Sequence, residues 1–176
     1  MNKITRFRDI PQFTEDGNWQ ADFELDFFVK FIEGEVTEQG LQLCPDFQRG
    51  HIWSEEQQIA WLEFFFRGGK SGNVIYLNNP AWQWHVPSGA YDDYVVVDGL
   101  QRITAIQRFI NNETRVFGSY YKEYTDRLLL KHSIKVNVNN LKTKREVLQW
   151  YIDMNSGGTP HSIEEIERVK ELIINC

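Results

Sequence analysis

Cysteine is nearly absent from this chain. Cys44 and Cys176 are the only two, with no CxxC and no His/Cys pair at zinc spacing, so neither a disulfide framework nor a structural zinc site is indicated. A reducing, cytoplasmic setting is the simplest expectation. No apolar run approaches the ~18 residues of a membrane span, and no cationic segment leads into an apolar stretch at the start, so neither insertion nor export is expected. Basic residues are also in deficit. Lys and Arg number 19 against 25 Asp and Glu, a formal charge of −6 with a pI near 5.3, which disfavours a broad electrostatic grip on a nucleic-acid backbone. A small nucleotide held by a local pair of arginines stays compatible with that balance.

What the chain does have is core material. Hydrophobic residues make up 41% and aromatics 14% of 176 residues, enough for one folded domain over 1–176 and too much for disorder. Phe23, Phe27 and Phe31 recur at i, i+4 and i+8, which predicts an amphipathic helix over Asp22 to Ile32 with that stripe in the core. Leu41-Gln42-Leu43 alternates as a short strand. A capping box at Ser54 to Gln57 starts a helix over about Glu55 to Arg67 that Gly68-Gly69 ends. Val74 to Leu77 and Tyr94 to Val97 read as continuous apolar strands, which predicts central positions covered on both faces, with a long excursion from Asn78 to Asp93 between them. A short helical piece is expected over Glu123 to Leu130, then an alternating strand over His132 to Val138. Thr143 to Glu146 caps a helix ending near Met154, Asn155 to Pro160 reads as a turn, and Ser162 to Glu165 caps a last helix. Strands and helices alternate without a repeat, so the fold class is α+β, a mixed α/β domain.

The chemistry-bearing feature is Asp98-Gly99-Leu100-Gln101-Arg102, where an apolar strand gives way to a helical pattern. A glycine at such a turn lets a phosphate approach the backbone, and the following amides and helix dipole favour an anion. Arg102 adds a planar cation in a first helical turn that otherwise prefers acidic side chains. An ordinary structural turn, with the arginine paired to a nearby carboxylate, accounts for the same residues. A second arginine-bearing turn, Pro45-Asp46-Phe47-Gln48-Arg49-Gly50, precedes the helix start at Ser54, and the two turns together can clamp one polyanion.

These two turns, the capped helix between them and Met154-Asn155-Ser156-Gly157-Gly158-Thr159-Pro160 occur in the order seen in DUF262 proteins. The chain resembles, over about 20–176, the N-terminal domain of GmrSD-type, modification-dependent restriction enzymes, within the wider ParB/sulfiredoxin-like superfamily. The resemblance implies a small mixed sheet flanked by helices and a nucleotide pocket between the arginine turns. Gln48 and Arg49 would line one side of it and Asp98, Gly99, Gln101 and Arg102 the other, with Asn155 as part of a backbone wall. It further implies an NTP ligand of unspecified base and, for hydrolysis, Mg²⁺ on Asp98, with Gln101 and Arg102 acting on the phosphates. The related motif carries glutamine where this chain has Leu100, so binding is better supported than turnover. Nuclease members continue into an HNH-type domain. No His-His or His-Asn metal motif stands here in its place, so DNA cleavage by this chain alone is not expected. A role in restriction or phage–host conflict follows from the same resemblance.

Several residues admit plainer readings. Asp98 is equally a helix N-cap, and Glu55 and Glu56 suit the first turn of a capped helix on electrostatic grounds alone. His51, His85, His132 and His161 are scattered, with no i, i+4 pair for a metal. Trp82 and Trp84 stand in the long excursion, where they can stack on a base, grip a protein partner or fill an apolar seam. The rival reading is therefore a non-enzymatic module that binds a protein or nucleic acid, or a protein that sequesters a nucleotide without turnover. The acidic balance favours protein over duplex DNA in the first of these.

Overall fold

The computed structural model describes residues 4–6, 10–11, 19–48, 53–82, 88–126, 132–156 and 163–174. Among them are a four-stranded sheet and five α-helices in an α+β arrangement. The strands are β1 (Trp19–Glu24), β2 (Val74–Asn78), β3 (Val95–Asp98) and β4 (Ser133–Asn139), and the helices are α1 (Leu25–Gln39), α2 (Glu55–Phe66), α3 (Leu100–Ile110), α4 (Lys144–Ser156) and α5 (Ile163–Ile174). The spatial order is β1-β4-β2-β3. β4 runs antiparallel to β1 and parallel to β2, and β3 runs antiparallel to β2. The sheet does not close, and no described helix is long and apolar enough to cross a membrane.

Alternation in the strands builds two apolar layers. Ile134, Val136 and Val138 of β4 join Ile75, Leu77 and Val96 on the face covered by α1, α2 and α3. Val95 and Val97 point the other way, into a cluster with Phe47 and the α4 and α5 residues Val147, Leu148, Trp150, Tyr151, Ile152, Val169 and Ile173. α2 packs through Leu62 and Phe65, and α4 through Val147, Leu148 and Tyr151, each set at helical spacing.

Four elements differ from the sequence reading. The Asp22 to Ile32 helix begins only at Leu25, because Trp19, Ala21 and Phe23 alternate on one face of β1, with Trp19 opposite Val138 and Phe23 opposite Ile134. The phenylalanine stripe is consequently split. Phe27 is 60% exposed, and the buried face of α1 is Leu25, Phe28, Val29 and Ile32. β3 is an edge strand, not a central one. Its two faces are buried by the helix layers, and its open side is covered by chain in which Gln42 makes a single parallel bridge to Val95, in place of the expected strand at Leu41 to Leu43. The piece expected over Glu123 to Leu130 is a 3-10 turn at Tyr121–Glu123, with non-helical chain at 124–126; 127–131 lie outside the described residues. α4 continues past Met154 to Ser156, so Asn155 is helical, and the rest of the expected 155–160 turn and the Ser162 cap lie outside the described residues.

Candidate anion site at the β3–α3 turn

The site is built where β3 delivers the chain into α3. Tyr76 pairs with Asp98 while its neighbour Leu77 pairs with Val96, so Val97 is an extra residue in β3. A bulge of this kind bends a strand and re-aims the residues after it. Gly99 follows at φ +123° and acts as the N-cap of α3 without a side-chain cap. Only glycine suits this position. Its backbone region is unfavourable for L-residues, and an added Cβ would lie 2.5 Å from Ile75 Cδ1. The glycine thus answers first to the packing of β2 against the turn.

The first turn of α3 contains no acidic residue, so its N-terminal amides and the positive end of the helix dipole are not neutralised from within. Arg102 is folded back over this turn. Its Nη2 lies 2.6 Å from Asp98 Oδ2, and its Nη1 donates to Gly72 O at 2.9 Å. The Arg102 side chain is 13% exposed and that of Asp98 41%. Asp98 is therefore not the helix cap; it holds the guanidinium in place. Other N–H donors of that guanidinium remain beyond these two contacts.

Gln101 and Gln48 tie the two motif turns together. Gln101 Oε1 accepts from the Trp53 backbone N–H at 3.0 Å. Gln48 Nε2 donates to Val96 O at 2.6 Å and Val97 O at 2.8 Å, capping the edge of β3 at its bulge. Arg49 and His51 lie outside the described residues, but the residues that flank 49–52, Gln48 and Trp53, are both bonded to the Val97–Gln101 stretch. Asn155 sits in the last turn of α4; its side chain is outside what is described.

Two residues that sequence reasoning missed hold the first turn from the opposite layer. Lys144 Nζ pairs with Asp46 Oδ2 at 2.6 Å, and Arg168 of α5 donates to Phe47 O at 2.9 Å and Asp46 O at 3.4 Å. Between them, Phe47 is buried against Tyr151, ring centroids 5.5 Å apart. Neither basic residue stands in a motif, and a cation on an exposed helical face carries no sequence signal for a carbonyl far away in the chain.

The remaining candidates take structural places. Glu55 accepts from Thr114 at 3.0 Å and pairs with Arg108, which also donates to the buried Gln58. Glu56 is fully exposed and its carboxyl is lowered by the Ser54 hydroxyl and by its own backbone N–H. His132 packs edge-on against Phe66 at 5.5 Å. Trp82 packs against Trp19 at 5.3 Å, its indole nitrogen buried, while Trp84, His85 and His161 lie outside the described residues. Among the described residues no group of three or more His, Cys, Asp and Glu side chains is placed to hold a metal ion.

The class of protein is thus an α+β domain with an open four-stranded sheet, in which two glutamine-bearing turns are drawn together at one sheet edge. Residues 32–134, more than half of the chain and both turns, match the model of the GmrSD restriction endonuclease N-terminal domain. The chain belongs to that family. No curated protein and no solved structure matches it.

Proposed function

We propose that this domain binds a nucleoside triphosphate at the β3–α3 turn, as the nucleotide-responsive part of a restriction system. The observation that carries the reading is the convergence of the two turns: Gln48 on Val96 O and Val97 O, and Trp53 N on Gln101 Oε1, beside a helix N-terminus free of acid. The Asp98–Arg102 pair also suits an ordinary structural turn; what favours an anion is that the first turn of α3 carries no acidic side chain of its own. The phosphates would meet the amides from Gly99 to Gln101, with Arg102 beside them and Arg49 reaching from the first turn.

Asp98 stands as a single carboxylate already engaged by Arg102. Mg²⁺ would enter on the nucleotide's own phosphates, with Asp98 as one added oxygen ligand, and not in a protein cage. Gln101, whose Oε1 accepts from the Trp53 N–H, would orient a phosphate or a water. Leu100 stands where the related motif carries glutamine, so turnover is expected to be slow beside binding.

Calorimetric titration with ATP, GTP, CTP and UTP, with and without Mg²⁺, tests the reading, followed by a phosphate-release assay. Saturable binding of at least one of them is expected, weakened about tenfold or more in Arg102→Ala and in Arg49→Ala, the loss of a charge-assisted contact. Unchanged affinity in both variants, each shown to be folded by its melting transition, would sink the proposal.

A further inference from the structure

The far end of α3 carries a second feature, unconnected with the nucleotide turn. After α3 the chain makes a tight hairpin in which Val116 and Ser119 exchange backbone hydrogen bonds of 2.9 and 3.1 Å. Phe117 and Gly118 form its tip at φ +50° and +81°, the twist of a mirror-image two-residue turn. Glycine adopts this freely, whereas phenylalanine is held there against its steric preference. The ring is nevertheless 46% exposed. A side chain that neither fills the core nor suits its backbone invites a functional reason.

Two arginines lie on aromatic rings around this tip. Arg67, the C-cap of α2, places its guanidinium carbon 5.3 Å from the Phe117 centroid, and Arg115 lies 4.7 Å from that of Tyr120. Tyr124, 39% exposed, widens the aromatic surface, and its hydroxyl fixes it by donating to Val116 O at 2.6 Å. The acidic neighbours are turned to other partners. Glu63 accepts the Phe117 N–H at 3.2 Å, Glu123 the Tyr120 N–H at 2.8 Å, and Glu113 pairs with Arg108 at 3.7 Å. Among the described residues, Arg67 and Arg115 have no carboxylate partner.

We propose that this hairpin and the end of α2 form a binding surface for single-stranded nucleic acid. A guanidinium stacked on a ring keeps its N–H edge outward for a phosphate. The exposed rings of Phe117 and Tyr124 offer stacking faces that only unpaired bases can reach. Two arginines on a chain of charge −6 are too few to grip a duplex backbone. A carboxylate-rich protein would answer the arginines but leave the strained, exposed Phe117 unexplained. The surface stands at the opposite end of α3 from Gly99, about 16 Å of helix away, so its success or failure is separate from that of the nucleotide site.

Fluorescence anisotropy of a short labelled oligothymidylate, without nucleotide present and over a salt series, tests this. Saturable binding is expected, with a log–log salt slope of about −1.4 for two phosphate contacts, shallower by about 0.7 in Arg67→Ala or Arg115→Ala. A duplex of the same length should bind more weakly. Phe117→Asn separates function from folding, because asparagine tolerates the backbone of this turn: the melting temperature should hold or rise while affinity falls roughly tenfold. Absence of oligonucleotide binding, capture of an oligoglutamate in its place, or parental affinity in Phe117→Asn overturns the proposal.

Discussion

At the scale of single residues, the β3–α3 turn is governed by Gly99 and by the Asp98–Arg102 pair. Gly99→Ala forces a Cβ to within 2.5 Å of Ile75 Cδ1 at φ +123°, so unfolding in urea should show a loss of about 1–3 kcal/mol. Asp98→Asn separates two roles for one side chain. If Asp98 mainly holds Arg102, the variant leaves the guanidinium free for phosphate and strengthens nucleotide binding in EDTA; if it also carries Mg²⁺, the gain is cancelled or reversed when Mg²⁺ is added. The expected outcome is a rise without metal and a fall with it. A fall under both conditions would refute the assignment. The glycine and the arginine were legible in the sequence as a strand-to-helix turn with a misplaced cation. The arginine's partner was legible only as one of two alternatives, since a spacing of four within a helix implies contact while Asp98 belongs to the preceding strand.

Tyr94 supplies a pH dependence at the same scale. Burial, and then the nearby Glu35 carboxylate, pushes its hydroxyl well above the ordinary tyrosine value, and the hydroxyl oxygen is buried without a hydrogen-bond partner of good geometry. The unfolded chain ionises near pH 10 while the folded chain keeps the proton. The stability contribution is therefore whole below about pH 10 and is lost as pH rises from there toward the folded value. Tyr94→Phe should flatten that alkaline loss and cost little at neutral pH, because it also removes an unsatisfied buried group. Melting curves at neutral pH and above pH 10 check both halves; an alkaline slope as steep as the parent's would count against the assignment.

At the scale of elements, legibility followed local signals. Of the three caps read from the sequence, the two within the described residues, at Ser54 and Thr143, sit where the sequence put them, with Ser54 accepting from Gln57 N and Thr143 from Glu146 N. A box is a contact within four residues and needs no tertiary context. The β1–α1 boundary was hidden because phenylalanines at helical spacing and aromatics at strand spacing overlap at Phe23, and the strand is selected by its partner β4, more than a hundred residues later in the chain. The edge position of β3 was hidden for a related reason. An apolar run signals burial on two faces, which a central strand has, but so does an edge strand packed between two helix layers, and here a loop covers the open side as well. Gln48 is the cover's fastening. Gln48→Ala removes two donations to strand carbonyls, and Gln48→Glu sets an acceptor against acceptors. The expected losses are about 1–2 kcal/mol and distinctly more, respectively, read by denaturant unfolding. Equal stability of the two variants would show that Gln48 is not the fastening.

At the scale of the whole molecule, the alternation of strands and helices disclosed the class of fold, and the motif order disclosed the family. Neither disclosed how the two layers of helices share one site. α3 contributes the β3–α3 turn from one layer, and α4 and α5 hold the Pro45–Gln48 turn from the other, through Lys144 on Asp46 and Arg168 on the Asp46 and Phe47 carbonyls. The first turn is thus gripped on one side by α5 and fastened on the other to β3 by Gln48. If the proposed nucleotide binds here, Arg168 acts as a positioning residue that has no need to touch it. Arg168→Ala should weaken nucleotide binding several-fold, and Arg168→Lys should recover only part of that, because one ammonium cannot reproduce the fork across two carbonyls. The coupling is measurable. In a cycle of Arg168→Ala and Gln48→Ala read by nucleotide affinity, two residues holding one turn should deviate from additivity by about 0.5–3 kcal/mol. Strict additivity would mean that α5 merely packs behind the turn, and that the site is set by the β3–α3 layer alone.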